Sequence, residues 1–502
     1  MRPFLLPCLV GIALAASLST PPARAADAQP TLTAQQAQRE LRILERGLTD
    51  LHAGLYRYRT PEDIKNEFAR AEAEVADGSD ALEMYLIASR IAAAVRCGHT
   101  WTNPVNQSPA VQAALAALPA LPVRVRLLGE RLLVTASADP RVPADAEILA
   151  IDGRTPAALV ADFLPYLRAD GGNDGKRLSQ LDSDVNGGAM ERLLPLLHPP
   201  GAEGYRVRLR PDDGREDDGR EIEVVVHGMS TALRERRLAA AGAVPADAAW
   251  RFDIEGDIAT LTLPTFAFWN DDFDWRGFLE RSFATLEAKK TPFLILDLRR
   301  NEGGDSAIGR ALTAHLLTAP YTPPATRSES AYERAPYALA RFLDTWDFSF
   351  FDRTGQVARG PGRNWSLPDT APQRIEPVAK PYRGLVVALT GPRMSSAGYL
   401  LARDLKAAGA ATLIGGETGG NLRGLNGGQL AWLVLPTSGV SVDIPLLAHF
   451  TAGEPPDRGV LPDIAVRTRL EDAVAGIDPD RIAAERWLAE RAHGTPRRVD
   501  GR

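Results

Sequence analysis

The chain has 502 residues, of which 45% are hydrophobic and 24% are charged, and its formal net charge is −6. A chain of this length and hydrophobic content is expected to fold into more than one domain. A mildly acidic chain without a basic tract argues against nucleic acid or an anionic membrane as a partner.

The first 25 residues have the pattern of a signal peptide. Arg2 precedes an apolar run over residues 4–18, and residues 23–25 form a small-residue cleavage site. The run is short for a membrane helix, and no later apolar stretch is longer. We therefore expect residues 1–25 to be removed, and the mature protein to be exported, periplasmic or secreted, with no membrane span.

Cysteines and histidines are too few and too scattered to indicate a metal site. Cys8 leaves with the signal peptide, so that Cys97 alone remains and no internal disulfide can form. A single cysteine is usually a packing residue, although Cys97 lies two residues before His99. No phosphate-binding glycine motif occurs either. We expect no metal and no cofactor.

Residues 26–119 have the spacing of packed helices. Apolar residues recur with helical periodicity in LRILERGLTDLHAGLY and IKNEFARAEAEV, and MYLIASRIAAAV is largely apolar. This helical region ends in VRCGHT, which contains His99. His52 lies in no motif, and we interpret it as a packing residue at a helix end.

Residues 120–230 change to β-strand patterns. LPVRVRLLGERLLVTA alternates around a turn, and YRVRLRPDDGREDDGREIEVVV predicts a hairpin. AEILAIDGRTPAAL predicts a strand, an Asp-Gly turn and the start of a helix. Residues 166–200 predict a helical insertion into this β module.

Residues 245–470 alternate between strands and helices, which predicts a layered α/β sheet. IATLTLPTF and FLILDL are strands, and a helix is expected from Ser306 to Leu317. Residues 320–380 are rich in aromatics and proline, and either a substrate-covering lid or an excursion packed on the core fits them. Residues 471–502 are expected to form an exposed helix and a tail.

A serine pair lies at a strand-to-helix junction in LVVALTGPRMSSAGYLLARDLKAAG. The strand covers residues 385–389, and the helix begins at Ser395 or Ser396 and runs to Gly409. A serine at this place exposes its hydroxyl beside the free N–H groups of the first helical turn, which is the arrangement that acyl transfer uses. An ordinary helix N-cap gives the same pattern.

A glycine pair, Gly303 and Gly304, follows the buried strand in FLILDLRRNEGG. Glycines at such a place let backbone N–H groups approach a substrate closely, as an oxyanion hole requires. A tight strand-to-helix turn has the same sequence pattern.

Together these segments resemble the C-terminal processing (tail-specific) serine peptidases and the related tricorn core peptidase. DLRRNEGG is similar to that family's D-L-R-x-N-x-G-G segment, and SSAG with GGETGG is similar to its nucleophile segment and downstream turn. GHT resembles the catalytic-histidine segment, and GVLPDI resembles the closing G-V-x-P-D-I strand. The motifs occur in the family's order over nearly all of the mature chain.

The resemblance implies a multidomain α/β protein. Its parts would be an N-terminal helical cap at residues 26–119, a PDZ-like module with a helical insertion at residues 120–230, and a crotonase-like peptidase core at residues 245–470. The PDZ-like module would hold the C-terminus of a peptide, although a purely structural role fits the partial match equally well.

The resemblance also implies the nucleophile and the base. Ser396 is followed by alanine, as in the family's nucleophile segment, so that Ser395 is one position off. The family's lysine branch is excluded, because Asn421 stands 25 residues after Ser396 and Lys406 lies ten residues along the same helix. His99 is left as the general base.

The remaining groups follow from the same comparison. The backbone N–H groups of Ala397 and of Gly303 or Gly304 would hold the oxyanion. The acid that orients His99 would be Asp457, one position out of register, with Glu454 and Glu417 as alternatives or with no acid at all. We expect the motif residues Asp297, Arg299 and Asn301 to fix the glycine loop and not to touch the substrate.

The sequence therefore predicts an exported serine endopeptidase that acts on proteins or peptides. Two other classes stay open. One is a catalytically weak binding protein on a peptidase scaffold, because the family also resembles the retinoid-binding repeats of vertebrate photoreceptors. The other is a hydrolase of non-peptide esters or amides, which uses the same constellation.

Overall fold

The computed structural model describes residues 31–183, 188–211, 220–243, 249–360, 362–368 and 373–492. The expected signal peptide, the tip of the predicted hairpin at residues 212–219 and the tail from residue 493 lie outside the described residues. Within the described ranges, no helix is both long and apolar enough to cross a membrane.

The α-helices of the described residues are, in chain order, α1 (Ala34–Leu51), α2 (Pro61–Glu74), α3 (Ala81–Ala94), α4 (Pro109–Ala117), α5 (Pro156–Phe163), α6 (Asp174–Ser179), α7 (Ala189–Leu197), α8 (Thr231–Ala240), α9 (Trp275–Lys289), α10 (Ser306–Leu316), α11 (Tyr337–Ala340), α12 (Ser396–Ala407), α13 (Leu470–Val474) and α14 (Pro479–Ala492).

The strands are β1 (Val123–Leu128), β2 (Arg131–Ser137), β3 (Glu147–Ile151), β4 (Tyr205–Arg210), β5 (Ile222–Val226), β6 (Arg251–Glu255), β7 (Ile258–Thr262), β8 (Phe293–Asp297), β9 (Thr326–Ser330), β10 (Leu343–Asp344), β11 (Ala358–Arg359), β12 (Trp365–Ser366), β13 (Leu385–Thr390), β14 (Thr412–Gly415), β15 (Gly424–Asn426), β16 (Leu430–Val434), β17 (Ser441–Pro445), β18 (Ala448–Thr451) and β19 (Ile464–Ala465).

The N-terminal helices begin at side chains that satisfy their free N–H groups. Thr33, Thr60 and Asp80 each form a capping box at the start of α1, α2 and α3. The apolar face of α1 is buried together with residues of β16 and β17, including Leu433 and Ile444. The helical region that carries His99 is therefore packed onto strands from the C-terminal half of the chain.

Strands β1 to β5 form one antiparallel sheet in sequence order. Burial alternates along β4, where Tyr205, Val207 and Leu209 face the core, as expected for a sheet with one covered face. The predicted strand, Asp-Gly turn and helix start are confirmed by β3, by Asp152 and Gly153 in positive φ, and by α5. The predicted insertion contains α6 and α7.

A six-stranded sheet has the order β19-β14-β13-β8-β7-β6 and is parallel except for the β6–β7 pair. Leu294 and Leu296 of β8 pack on one face with α9, α10 and α12, whereas Ile295 faces α14. The expectation of an exposed C-terminal helix is wrong for one face of α14, because Ala484 and Leu488 are fully buried under this sheet.

Residues 320–380 are not an irregular loop throughout. They contribute β9, β11 and β12 to a sheet of order β11-β12-β9-β18-β15, and β10 to a sheet of order β10-β16-β17. Tyr332, Leu339 and Leu343 are buried in the core that the N-terminal helices form. Much of the segment is thus packed structure that links the helical region to the C-terminal strands.

Candidate active site

Ser396 stands where β13 has ended and α12 begins, as the sequence predicts. Its φ angle is +51°, which is uncommon for a residue other than glycine. Such a conformation costs free energy and is found at functional sites, where the surrounding structure enforces it. The side chain is directed out of the helix, and its Oγ lies 3.3 Å from Nε2 of His99.

His99 is presented by the turn that follows α3. The turn is closed by a hydrogen bond from the N–H of Thr100 to the carbonyl of Cys97, 3.3 Å long. It is anchored by the N–H of Gly98, which donates to the buried carboxylate of Asp170 at 2.9 Å. The turn therefore holds the imidazole against the start of α12, 297 residues further along the chain.

Burial lowers the pKa of His99 to about 4, and the positive charges of Arg168 and Lys176 act in the same direction. The imidazole is consequently neutral near pH 7 and able to accept a proton. Its other nitrogen, Nδ1, is buried without a hydrogen-bond partner among the described residues. The described residues thus form a serine–histidine pair without a third member.

The glycine loop lies directly against the serine. A Cβ atom on Gly303 would come within 2.7 Å of both the backbone nitrogen of Ala397 and the Cβ of Ser396. The backbone N–H of Gly303 is already engaged, because it donates to Oδ1 of Asn301 at 2.9 Å. Gly303 is therefore not an oxyanion donor in this arrangement.

No hydrogen bond engages the N–H of Gly304 among the residues that the structure describes, so this group can serve instead. Gly304 forms a parallel bridge with Phe266, in which Phe266 uses both of its backbone groups on residues 303 and 305. The N–H of Gly304 hence points away from Phe266. The second candidate donor is the N–H of Ala397, which lies in the first turn of α12 and has no partner within that helix.

The structure does not bring Asp457 to His99. Oδ1 of Asp457 accepts hydrogen bonds from the N–H of Gly172 at 3.0 Å and from Nδ2 of Asn421 at 2.7 Å. Asp457 does not contact His99, because the loop that contains Asp457 places its carboxylate beside Gly172, in the segment before α6. The prediction of an Asp457–His99 contact is wrong in this geometry.

The alternative acids are placed elsewhere as well. Glu417 accepts a hydrogen bond from the N–H of Gly459 at 2.7 Å, which closes the turn after β14. Glu454 is exposed. No hydrogen bond joins either carboxylate to His99 within the described part of the chain.

The other candidate side chains, Ser395, Cys97 and His52, are bound by contacts away from the Ser396–His99 pair. Ser395 Oγ donates to the carbonyl of Glu302 at 3.4 Å, away from the base. Burial raises the pKa of the Cys97 thiol, whose sulfur accepts from Nδ2 of Asn426 at 3.2 Å. His52 is fully buried, and its Nε2 lies 2.9 Å from Oγ1 of Thr100, which agrees with a packing role.

The motif residues before the glycine pair fix the loop. Asn301 is fully buried and donates to the carbonyl of Leu263 at 2.8 Å, in addition to accepting from Gly303. Arg299 pairs with Asp297 at 2.6 Å and with Asp478, at the start of the α14 segment, at 2.8 Å. These contacts agree with the prediction that the three residues fix the loop.

Sequence reasoning missed a group of charged side chains that the β module brings to the site. Lys176 of α6 is 1% exposed, and its Nζ lies 2.9 Å from Oε2 of Glu302. Arg168 lies 3.6 Å from the same oxygen. Glu302 occupies the second variable position of the D-L-R-x-N-x-G-G segment, and this place in a motif was the one feature of the sequence that could have indicated it. Lys176 lies in a stretch without any motif.

Nothing in the site has the character of a metal centre. No group of three or more histidine, cysteine, aspartate or glutamate side chains that could hold a metal ion occurs in the ranges that the structure describes.

Comparison with known proteins identifies the core. Residues 257–466 match the model of peptidase family S41. A CPAF point mutant matches with 15% identity and a TM-score of 0.61, covering 91% of this chain and 96% of that one. Mature CPAF complexed with lactacystin matches with 14% identity and a TM-score of 0.58, covering 91% and 97%. At these identities the likeness concerns the fold. No curated protein matches the chain by sequence.

Proposed function

Since residues 257–466 belong to peptidase family S41 and make this chain a serine-type peptidase, we propose that it hydrolyses peptide bonds through an acyl-enzyme on Ser396, with His99 as general base. The observation that carries the proposal is the distance of 3.3 Å between Ser396 Oγ and His99 Nε2. A nucleophile within hydrogen-bond reach of a neutral base is the minimal arrangement for acyl transfer.

The reaction runs in two halves. Ser396 Oγ attacks the carbonyl carbon of the scissile bond while its proton passes to Nε2 of His99. The oxyanion is held by the N–H groups of Gly304 and Ala397, and its collapse breaks the C–N bond as His99 protonates the leaving amine. Water, deprotonated by His99, then attacks the acyl ester, and Ser396 regains its proton as the product acid leaves.

The low pKa of His99 fits the first role of the base. A neutral imidazole is available over most of the pH range, because burial and the neighbouring cations disfavour its protonation. Asp457 is not assigned a role at His99, since its carboxylate is bound to Asn421 and Gly172. The proposed machinery is a dyad of Ser396 and His99.

The finer assignment, an exported tail-specific peptidase, is also a proposal. It is supported by the signal-peptide pattern at residues 1–25 and by the motif order in the sequence. Residues 26–119 would be a helical cap that delivers His99, and residues 245–470 a crotonase-like core. Residues 320–380 would be an insertion in this core, and the packing of β9, β10 and Tyr332 favours a packed excursion over a lid. Residues 471–502 would add the C-terminal helix and the tail.

Residues 120–230 would act as a PDZ-like module that holds a peptide C-terminus. The antiparallel sheet β1 to β5 lies within this range, and strand addition to such a sheet is the usual mode of C-terminus capture. The substrates would accordingly be proteins or peptides.

One observation favours a second candidate function, a weakly catalytic binding protein. Nδ1 of His99 has no partner among the described residues, so that no carboxylate fixes the tautomer and orientation of the imidazole.

The deciding experiment is treatment of the purified mature protein with a fluorophosphonate probe, followed by mapping of the labelled residue. We expect covalent labelling at Ser396 that is lost in Ser396→Ala and in His99→Ala. Turnover of a peptide substrate should fall by at least about 10⁴-fold in both variants, because the two residues act as a unit. Absence of labelling in folded protein would favour the binding function.

A further inference from the structure

We infer that Lys176 and Glu302 form an ion pair that positions the oxyanion donors against Ser396. This inference deepens the proposed function and rests on it. Lys176 belongs to α6 in the β module, whereas Glu302 directly precedes the glycine pair of the core. The pair therefore joins two regions that are distant in sequence at the reacting centre.

Helix α6 is docked on the core by its first residues. Asn173 caps the helix, since its Oδ1 accepts from the N–H of Lys176 at 3.1 Å. Nδ2 of the same asparagine donates to the carbonyl of Thr418 at 2.8 Å and to that of Gly420 at 3.0 Å. The short helix is thus fixed to the turn after β14, and Lys176 points from it into the site.

The ammonium group of Lys176 holds two loops at once. Nζ lies 2.9 Å from Oε2 of Glu302 and donates to the carbonyl of Arg393 at 3.1 Å. Glu302 is the residue before Gly303, and Arg393 is three residues before Ser396. One buried charge hence sets the separation between the glycine loop and the loop that leads to the nucleophile.

Arg168 extends this link to the base. Its guanidinium lies 3.6 Å from Oε2 of Glu302 and donates to the carbonyl of Gly98, the neighbour of His99. The guanidinium carbon also lies 3.8 Å from the ring centre of Trp101, on the other side of His99 in sequence. The carboxylate of Glu302 is therefore connected to the segments of all three groups that the reaction needs.

The charges depend on each other. Burial would raise the pKa of Glu302, but Lys176 and Arg168 outweigh it and hold that pKa at about 2. Burial lowers the pKa of Lys176, and the charge of Glu302 opposes this shift. Removal of Glu302 leaves the ammonium group of Lys176, which is 1% exposed, without its carboxylate, and removal of Lys176 leaves Glu302 with only the longer contact to Arg168. A protein relieves such a loss of compensation by moving the chain. Such movement would displace the glycine loop.

The role that follows is positioning and not proton transfer. Nζ of Lys176 is bound to Glu302 and Arg393, whereas the hydroxyl of Ser396 is bound to His99. A shift of the donors by about 1 Å is enough to lower the rate of the chemical step about 100-fold. The affinity for the substrate in its ground state does not depend on the oxyanion donors in the same way.

The test compares the wild type with Lys176→Met, Glu302→Gln and the double variant, by the rate of fluorophosphonate labelling and by kcat and KM for a peptide that the wild type cleaves. We expect each single variant to lose about 100-fold in labelling rate and in kcat, with KM within about threefold. The double variant should lose no more than the worse single variant, because the two changes break the same interaction.

Lys406 provides the matched control. Its Nζ also joins a carboxylate and a carbonyl, Asp463 at 2.8 Å and Leu461 at 2.7 Å, but far from the nucleophile on the other end of α12. Lys406→Met should label and turn over within about twofold of the wild type, as expected for a partly exposed pair.

The outcomes distinguish a failure of the proposed function from a failure of the positioning pair alone. A wild type that is not labelled overturns the proposed function itself. A labelled wild type with folded Lys176→Met and Glu302→Gln variants of normal kcat overturns the positioning pair alone, as would multiplicative losses in the double variant. If Lys176→Met does not fold, Glu302→Gln decides, because it keeps the shape of the side chain and removes only the charge.

Discussion

The carboxylate of Asp457 lies 2.7 Å from the side-chain nitrogen of Asn421 and has no hydrogen bond to His99 in the described structure. By the resemblance drawn from the sequence, Asn421 corresponds to the lysine base of the family's lysine branch. The acid expected to orient His99 is thus bound by Asn421. The contacts of Asp457 to Asn421 and Gly172 fix the neighbouring loops and do not orient the base.

Asp457→Asn should consequently be a mild change. Asparagine keeps an oxygen that can accept from the N–H of Gly172, so that the loop contact survives. We expect kcat/KM to fall by less than about tenfold, whereas loss of a true triad acid costs about 10⁴-fold in kcat. The measurement is the steady-state rate with a peptide substrate, beside His99→Ala as the inactive reference. A loss as large as that of the reference would restore Asp457 to the catalytic group.

Ser395→Ala should leave the nucleophile active. The hydroxyl of Ser395 makes one long contact, 3.4 Å to the carbonyl of Glu302, and helix α12 has no side-chain cap from it. We expect fluorophosphonate labelling within about threefold of the wild-type rate, because a contact of this length contributes little. Ser396→Ala is the paired variant that should not label. The opposite pattern in the two variants would show that the register of the nucleophile is wrong by one residue.

The sequence was sufficient for the elements that local pattern determines. β8, β13 and the start of α12 follow from apolar runs that end at turn residues, and the meeting of His99 with Ser396 followed from motif order. The burial of one face of α14 was not predicted, although Ala483, Ala484, Trp487 and Leu488, which pack on the sheet, recur at helical spacing.

The charged contacts at the site could not be predicted from the sequence for a different reason. Lys176 and Glu302 are 126 positions apart, and neither has a periodic or spaced partner that would indicate the other. The position of Asp457 depends on the path of an entire loop, so that a residue with the right chemistry and nearly the right register still misses the base. Long-range side-chain pairs of this kind need the tertiary fold.

Gly304→Ala should lower activity strongly. Gly304 has a φ angle of +133°, and a Cβ there would overlap the backbone of Phe266. The chain can relieve this overlap only by moving the loop, which removes an oxyanion donor at a cost of about 100-fold or more in kcat. Gly453→Ala is the control, because its φ of +79° has the same sign but the space around it is open.

The control separates backbone strain from close approach. Gly453→Ala should lose about 1 kcal/mol of unfolding free energy for the left-handed conformation and keep its labelling rate. Equal activity losses in both variants would contradict the assignment of the Gly304 N–H as an oxyanion donor. Labelling rate and denaturant unfolding, measured on the same preparations, give both quantities.

Arg299→Met should lower the free energy of unfolding. The guanidinium joins Asp297, Asp478 and Asp480, so that its removal leaves three carboxylates close together. Because the group is 27% exposed, we expect a loss of about 2 kcal/mol, below the range for fully buried pairs. Arg334→Met, which breaks the exposed pair with Asp352, should change the free energy by less than about 0.5 kcal/mol. Urea unfolding of the two variants tests the difference, and similar values would contradict the anchoring role of Arg299.

The dependence of activity on pH should report the buried imidazole. Burial, with Arg168 and Lys176, lowers the pKa of His99 to about 4 from its ordinary value of 6.5. The labelling rate should therefore rise with pH through a pKa near 4 and be constant above about pH 6, because the neutral form is the base. A limb centred near 6.5 would show that the imidazole is more exposed, or better paired, than its surroundings indicate.

The same shift has a defined effect on stability. Between about pH 4 and pH 6.5 the unfolded chain binds a proton at His99 that the folded chain does not, so the free energy of unfolding rises with pH across this window. The contribution is complete above pH 6.5 and lost below the folded pKa. His99→Gln lowers by one the number of protons that the unfolded chain binds in excess of the folded chain. His52, whose pKa burial lowers to about 3, still adds a proton to this excess. Unfolding of the wild type and of His99→Gln in parallel at a series of pH values should hence give a shallower slope for the variant, and identical slopes would mean that His99 titrates alike in the folded and unfolded chains.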